Sequence, residues 1–193
     1  MSSVLDNEQR GGFVSRMNVP LDAAKKLCDY VIAEIGPNGR RGRELWQTGN
    51  WSGYASSSIL EPVVWLYNRT KDQKYLDFAT YLVKDMTEVE AGPRLLDLAL
   101  KDISVADRNG YGNKAETHGG YVMKHNRWKA YEMMSCYQGL LAWARVTGDT
   151  RALEACVKTG KDIAATEVNI SGGLCPARCA VSFARASSSS AGL

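Results

Sequence analysis

No stretch of this chain approaches the ~20 consecutive apolar residues of a membrane-spanning helix, so a membrane is not expected among its partners. Residues Met1 to Gly12 are polar and charged and lack the apolar core of a signal peptide, which leaves the polypeptide as written in the cytoplasm. Charge of one sign is missing too. The 24 basic residues nearly balance 21 acidic ones, the formal charge is +3, and no long Lys/Arg run exists, which argues against nucleic acid as a partner. The one basic cluster, Gly39-Arg40-Arg41-Gly42-Arg43, is flanked by glycine and reads as a solvated turn. The five cysteines, Cys28, Cys136, Cys156, Cys175 and Cys179, are odd in number and contain no Cys-x-x-Cys pair, which argues against both a disulfide framework and a structural zinc ribbon. The first three lie among apolar residues at helical spacing and read as buried thiols in a reducing compartment. Histidine is scarce, with only His118 and His125.

What remains is a chain of 193 residues, 45% of them hydrophobic, enough to bury a core in one domain. Its apolar residues follow the helical period of about 3.6. Pro20 suits a first helical position, since its missing N–H has no intrahelical partner there. The run Leu21, Ala24, Leu27, Cys28, Val31, Ile35 continues to a break at Gly36-Pro37. A second helix is predicted from Ser52 to Arg69, apolar on more than one face and therefore buried on both sides, with Pro62 kinking it or delaying its regular part. Further helices are predicted from Gln73, over 94–103, over 127–146 and over 150–166. The glycine-rich stretch 105–125 is long for a connection in a helical domain and reads as functional or mobile.

An internal repeat organises these elements. A shift of 77 positions brings Trp51 onto Trp128, Tyr54 onto Tyr131, Ser58 onto Ser135, Thr70 onto Thr147, Asp72 onto Asp149, Leu76 onto Leu153 and Lys84-Asp85 onto Lys161-Asp162. Each copy reads as Trp-x-x-Tyr, an apolar helix, a Thr-x-Asp turn whose Asp can cap the next helix, and an amphipathic helix. Leu21-Asp22-Ala23-Ala24 resembles Leu76-Asp77-Phe78-Ala79 and Leu153-Glu154-Ala155-Cys156, adding the second helix of a third unit. A two-helix unit buries its faces only against neighbours, so two and a half copies imply a larger array. Three segments follow: 1–19 as a flexible N-terminal stretch, 20–173 as the helical domain, and 174–193, where a serine run replaces helical periodicity, as a disordered or non-native tail.

The stretch Lys129-Ala130-Tyr131-Glu132-Met133-Met134-Ser135-Cys136-Tyr137-Gln138-Gly139-Leu140-Leu141, followed by Arg145-Val146-Thr147-Gly148-Asp149, resembles glycoside hydrolase family 127, the β-L-arabinofuranosidase-like proteins. Asn50-Trp51, Leu60-Glu61-Pro62 and Tyr75-Leu76-Asp77-Phe78-Ala79 resemble the same family, and the likeness spans residues 20–173. It implies an all-α fold of helical hairpins forming part of an (α/α)6 barrel, with a carbohydrate substrate. It also implies retaining removal of terminal L-arabinofuranose through a zinc site of one glutamate and three cysteines, one of them the nucleophile. The family motif is a Glu-x-Cys and a distant Cys-Cys pair. This sequence has no Cys-Cys pair, and its only Glu-x-Cys, Glu154-Ala155-Cys156, matches Asp77-Phe78-Ala79 in the repeat and reads as helix packing. No metal ligand is assigned to the chain, and it is expected to lack the catalytic centre and to be inactive alone.

In such barrels the loops before the inner helices line the sugar pocket, which nominates Trp51, His118, Trp128, Lys129 and Glu132 as substrate-binding residues. The tryptophans offer flat faces for a sugar, although their recurrence also suits packing anchors of the repeated unit. His118 can hydrogen-bond a hydroxyl, or simply be solvated in its loop. Lys129 and Glu132, three apart in one helical turn, share a face. Lys129 stands where some family members have histidine. Glycosidases need two carboxylates about the scissile bond, and spacing alone does not pair Glu61, Asp107 and Glu132, so no catalytic residue is assigned. The rival readings are a non-catalytic hairpin module that binds a glycan or a protein, and another enzyme of this barrel type such as an unsaturated uronyl hydrolase or a sugar epimerase.

Overall fold

The helical period and its punctuation shape the architecture, which the computed structural model describes for residues 4–36, 38–49, 53–90, 92–108, 117–118, 121–122, 130–166 and 168. Helix α1 spans Val4–Glu34, and a single 3-10 turn follows at Leu45–Gln47. Then come α2 (Tyr54–Ser57), α3 (Leu60–Thr70), α4 (Gln73–Glu88), α5 (Leu95–Leu100) and α6 (Val105–Arg108). Two-residue strands β1 (Thr117–His118) and β2 (Tyr121–Val122) pair antiparallel, and α7 (Ala130–Thr147) and α8 (Thr150–Thr166) complete the set. The fold of the described residues is all-α apart from that small ladder, and no helix among them is long and apolar enough to cross a membrane.

Two expectations about proline resolve differently. The first helix does not open at Pro20. It begins at Val4 and carries Pro20 in its interior, losing one backbone hydrogen bond there while 31 residues remain helical. Pro62 does delay its helix: α2 ends at Ser57, a turn intervenes, and α3 restarts at Leu60. Pro62 is then the third residue of α3, where a backbone N–H has no intrahelical acceptor to lose.

The repeat is built in three dimensions by matched turns. Between α3 and α4, Thr70 Oγ1 donates to the Leu66 carbonyl at 2.8 Å and accepts from the Asp72 N–H at 3.2 Å. Asp72 Oδ1 then accepts the Lys74 N–H at 3.2 Å, capping α4 as the Thr-x-Asp pattern requires. Between α7 and α8, Thr147 Oγ1 donates to the Trp143 carbonyl at 2.9 Å and Asp149 Oδ1 accepts the Ala152 N–H at 2.8 Å. The residue between Thr and Asp is left-handed in both turns, Lys71 at φ 57° and Gly148 at φ 76°. That backbone region suits glycine and strains lysine.

The two hairpins, α3–α4 and α7–α8, join through α3 and α7. Leu60, Val63 and Val64 of α3 meet Met133, Cys136 and Leu140 of α7 in one core with Tyr75, Phe78, Leu82 and Met86 of α4. Gly139 makes the approach close: a Cβ there would lie 2.8 Å from the Glu61 nitrogen and 2.8 Å from Leu60 Cβ. Trp143 of α7 reaches across to α4, its indole N–H donating to Thr80 Oγ1 at 3.1 Å. The helix expected over 94–103 is the shorter α5, and α6 is a helical turn within the stretch 105–125 expected to be a loop; both lie against α8. The expectation that α3 is buried on both sides is corrected. Its α4- and α7-facing residues are buried, but Trp65 is 63% exposed, because α1 covers little of the other side.

Candidate functional site

Binding residues are drawn disproportionately from connecting segments held on a rigid scaffold, and the segments that lead into the first helix of each hairpin are the ones nominated by the sequence. Here those segments precede α3 and α7, and each is held by an aspartate of its own unit's second helix, at points that the repeat does not match. Before α3, the 3-10 turn is held by α4. Asp85 Oδ2 accepts the Trp46 N–H at 2.8 Å, while the Tyr81 hydroxyl accepts the Leu45 N–H at 3.1 Å and donates to Glu44 Oε2 at 2.6 Å. Gly53, at φ 82°, brings the chain against this turn so tightly that a Cβ would stand 2.4 Å from Trp46 Cα. Before α7, Asp162 Oδ2 accepts the Val105 N–H at the start of α6. Asp85 and Asp162 are partners in the 77-residue repeat. Each sits late in the second helix of its unit and satisfies a backbone donor on the segment leading to the first.

Asp85 has the chemistry of a general acid. Burial pushes its carboxyl up to about 6, the Trp46 N–H opposes that shift, and the neighbouring Glu44 adds to it. Its geometry argues for a different role. The side chain is 4% exposed and its carboxylate is engaged by the backbone. A carboxylate that recurs in each copy with the same backbone partner type is part of the scaffold, and Asp85 positions the lead-in segment. The same burial raises the Tyr81 phenol, reinforced by its hydrogen bond to Glu44, so it stays a neutral donor.

The second lead-in segment adds a buried cation. Arg108, at the end of α6, donates from Nε to the Ile103 carbonyl at 2.7 Å and from one terminal nitrogen to the Tyr137 hydroxyl at 2.9 Å and Thr159 Oγ1 at 2.8 Å. Tyr137 in turn donates to the Leu95 carbonyl at 2.6 Å. One guanidinium thus ties α6 to both helices of the second hairpin at the point where the glycine-rich stretch departs, most of which lies outside the described residues.

Of the five nominated binding residues, Trp51, Trp128 and Lys129 lie outside the described residues. His118 falls in β1, in register with Tyr121. Glu132 is placed in the first turn of α7, as expected, and is buried. Its charge lies near Cys136 one turn later, where burial first and Glu132 second hold the thiol far above its ordinary range. Of the five nominated side chains only that of Glu132 is described. Sequence reasoning missed Asp85, Tyr81 and Arg108. The signal for Asp85 was present, because the repeat aligns Lys84-Asp85 with Lys161-Asp162; nothing in the spacing marks Arg108.

The residues of the one Glu-x-Cys do not fit a zinc site. Glu154 pairs with Lys158 at 3.3 Å, whereas the Cys156 thiol donates to the Tyr137 carbonyl at 3.6 Å, so the two side chains diverge. Burial pushes Cys156 up to about 12 and Cys28 up to about 11, which keeps both as thiols rather than thiolate ligands. No cluster of three potential ligands occurs among the described residues. A polar cleft of about 420 Å³ near Thr87, Glu88, Glu90 and Arg94 has partly self-satisfied charges, Arg94 pairing with Asp97 and Lys101 meeting the same carboxylate at 2.8 Å.

Comparison of the chain with family models, with curated proteins and with solved structures finds no match.

Proposed function

We propose that the chain forms part of a glycoside hydrolase catalytic domain of the β-L-arabinofuranosidase-like type. In this reading it is cytoplasmic and contributes hairpins to an (α/α)6 barrel that removes terminal L-arabinofuranose from glycans. The observation that carries the reading is the repeated unit itself, with matched Thr-x-Asp turns and matched aspartates, Asp85 and Asp162, each holding a segment that leads into a central helix. Such a unit is built to be repeated around a ring and to present its lead-in segments along one rim. Glu132, at the start of α7 on that rim, is the carboxylate assigned to sugar binding, with Trp51, His118, Trp128 and Lys129 as its companions. No catalytic acid or nucleophile is assigned to this chain, which is inactive alone, and the family's zinc falls to residues other than the thiols described here. A second reading, a non-catalytic hairpin module, is favoured by the absence of a convergent nucleophile among the described thiols and carboxylates.

The test uses the full chain with a chromogenic L-arabinofuranoside and, separately, calorimetric titration with an arabinofuranosyl oligosaccharide. Oligosaccharide binding that weakens in Glu132→Gln, without turnover, is the expected result. Robust turnover refutes the assignment of an inactive chain. Absence of oligosaccharide binding at millimolar concentration in the folded protein refutes the carbohydrate reading.

A further inference from the structure

The open side of α3 forms one wall of an apolar groove of about 480 Å³, lined by Pro62, Trp65 and Leu66 on α3 and by Leu21, Ala24 and Leu27 on α1. The repeat specifies what belongs there. On α7 the positions matching Pro62, Trp65 and Leu66 are Gly139, Ala142 and Trp143. That face of α7 is covered by the first hairpin: Gly139 abuts Leu60 and Glu61 of α3, and Trp143 bonds to Thr80 of α4. The face that is open on α3 is therefore the face that α7 turns toward its predecessor.

The second wall gives the same answer independently. By sequence α1 matches α4 and α8, the second helices of their units, and Leu27 falls on Leu82 and Thr159. Leu82 is 0% exposed, beneath a core that includes its own hairpin partner, and Thr159 is 1% exposed, whereas Leu27 is 66% exposed. The α1 helix thus presents the stripe by which a second helix packs on a first one. Trp65 and Leu27 are large apolar side chains held in water by two adjacent helices, an arrangement characteristic of an interaction surface rather than of scattered surface residues.

We infer that the α1–α3 groove is a docking site for an amphipathic α-helix of the first-helix type, standing to α3 as α3 stands to α7. The occupant presents an apolar stripe at i, i+3, i+4 and i+7, and Trp65 is the aromatic anchor of the interface. Pro62 and Trp65, where α7 has glycine and alanine, hold the incoming helix farther from α3 than α3 lies from α7. This assignment is independent of the carbohydrate reading, since it requires only a helical partner.

The probe is a fluorescently labelled peptide with the sequence of residues 53–71, the nearest available first helix, titrated into the full chain by anisotropy. Saturable binding is expected, with no binding of a scrambled peptide. Trp65→Glu or Leu27→Glu should weaken binding about tenfold or more, as loss of an interface anchor does. Leu153→Glu, exposed on α8 away from the groove, should leave it unchanged. Circular dichroism melts confirm folding of the variants, whose substituted side chains are solvent-exposed. Absence of binding, or equal binding by the Trp65→Glu chain, overturns the proposal. So does concentration-dependent self-association in sedimentation that Trp65→Glu abolishes, because the occupant would then be a second copy.

Discussion

Replacing Gly139 with alanine tests the packing that joins the two hairpins. In an exposed helix interior, glycine to alanine stabilises by about 1 kcal/mol, because glycine loses more backbone freedom on folding. Gly160 in α8 provides that reference: it is exposed, helical, and a Cβ there meets nothing within 4 Å. At Gly139 the added Cβ meets the Glu61 nitrogen at 2.8 Å, Leu60 Cβ at 2.8 Å and Leu60 Cγ at 2.9 Å. The Leu60 side chain is fully buried and the Glu61 nitrogen is backbone, so neither yields without moving α3. Overpacking of this kind costs about 1–3 kcal/mol, which outweighs the propensity gain or nearly cancels it. Gly139→Ala should therefore be about 0–2 kcal/mol less stable than the parent, and Gly160→Ala about 1 kcal/mol more stable. For a chain of this size each kcal/mol moves the melting temperature by roughly 2–4 °C. Thermal melts followed by far-ultraviolet circular dichroism, with urea titrations for the slope, resolve the opposite signs. Equal stabilisation by both substitutions would show that α3 and α7 do not approach closely at Gly139.

Lys71→Gly places in the first turn the residue that Gly148 supplies in the second. Relief of the left-handed backbone at φ 57°, about 1–2 kcal/mol, exceeds the loss of the exposed Lys71 ammonium over the Tyr67 ring at 5.3 Å, about 0.5–1 kcal/mol, so stability should rise by roughly 0.5–1 kcal/mol. A melt no higher than that of the parent would count against the assigned turn. For Asp85, a folded pKa of about 6 lies above its unfolded value, so the folded state binds the proton more tightly, and its contribution to stability is present at low pH and lost as pH rises from about 4 through about 6. Asp85→Asn should remove that decline, on the order of 1–3 kcal/mol, flattening the stability profile between pH 4.5 and pH 7.5; an unchanged profile would refute the buried carboxylate. Arg108→Met should destabilise by about 2–3 kcal/mol, since it leaves Tyr137 and Thr159 without their charged donor. In a double-mutant cycle with Tyr137→Phe the two losses should fail to add, and strict additivity would show that the network does not form.

Local chemistry made much of the fold legible from the residues alone. The Thr-x-Asp pattern marked both hairpin turns, and the helices after Asp72 and Asp149 begin where a carboxylate can cap them. The bounds of α8 were readable because its apolar spacing and its cap agree. The start of α1 was not, because Pro20 reads as a first residue and only the surrounding helix decides that it lies inside one. Glu132 could be placed on α7 by counting, since helical spacing is a property of neighbours in sequence.

Contacts between distant segments belong to a different class. That Asp85 grips Trp46 and that Arg108 reaches Tyr137 and Thr159 depend on how helices are laid against one another. No local rule carries that information, because the stabilisation comes from burial and from donors and acceptors many residues apart. The sequence by itself determined the repeat, its turns, its caps and its apolar stripes. Only tertiary packing decided that one stripe of α3 is covered by α7 while the matching stripe beside α1 stands open, since a helix face is buried only when another helix is placed to cover it.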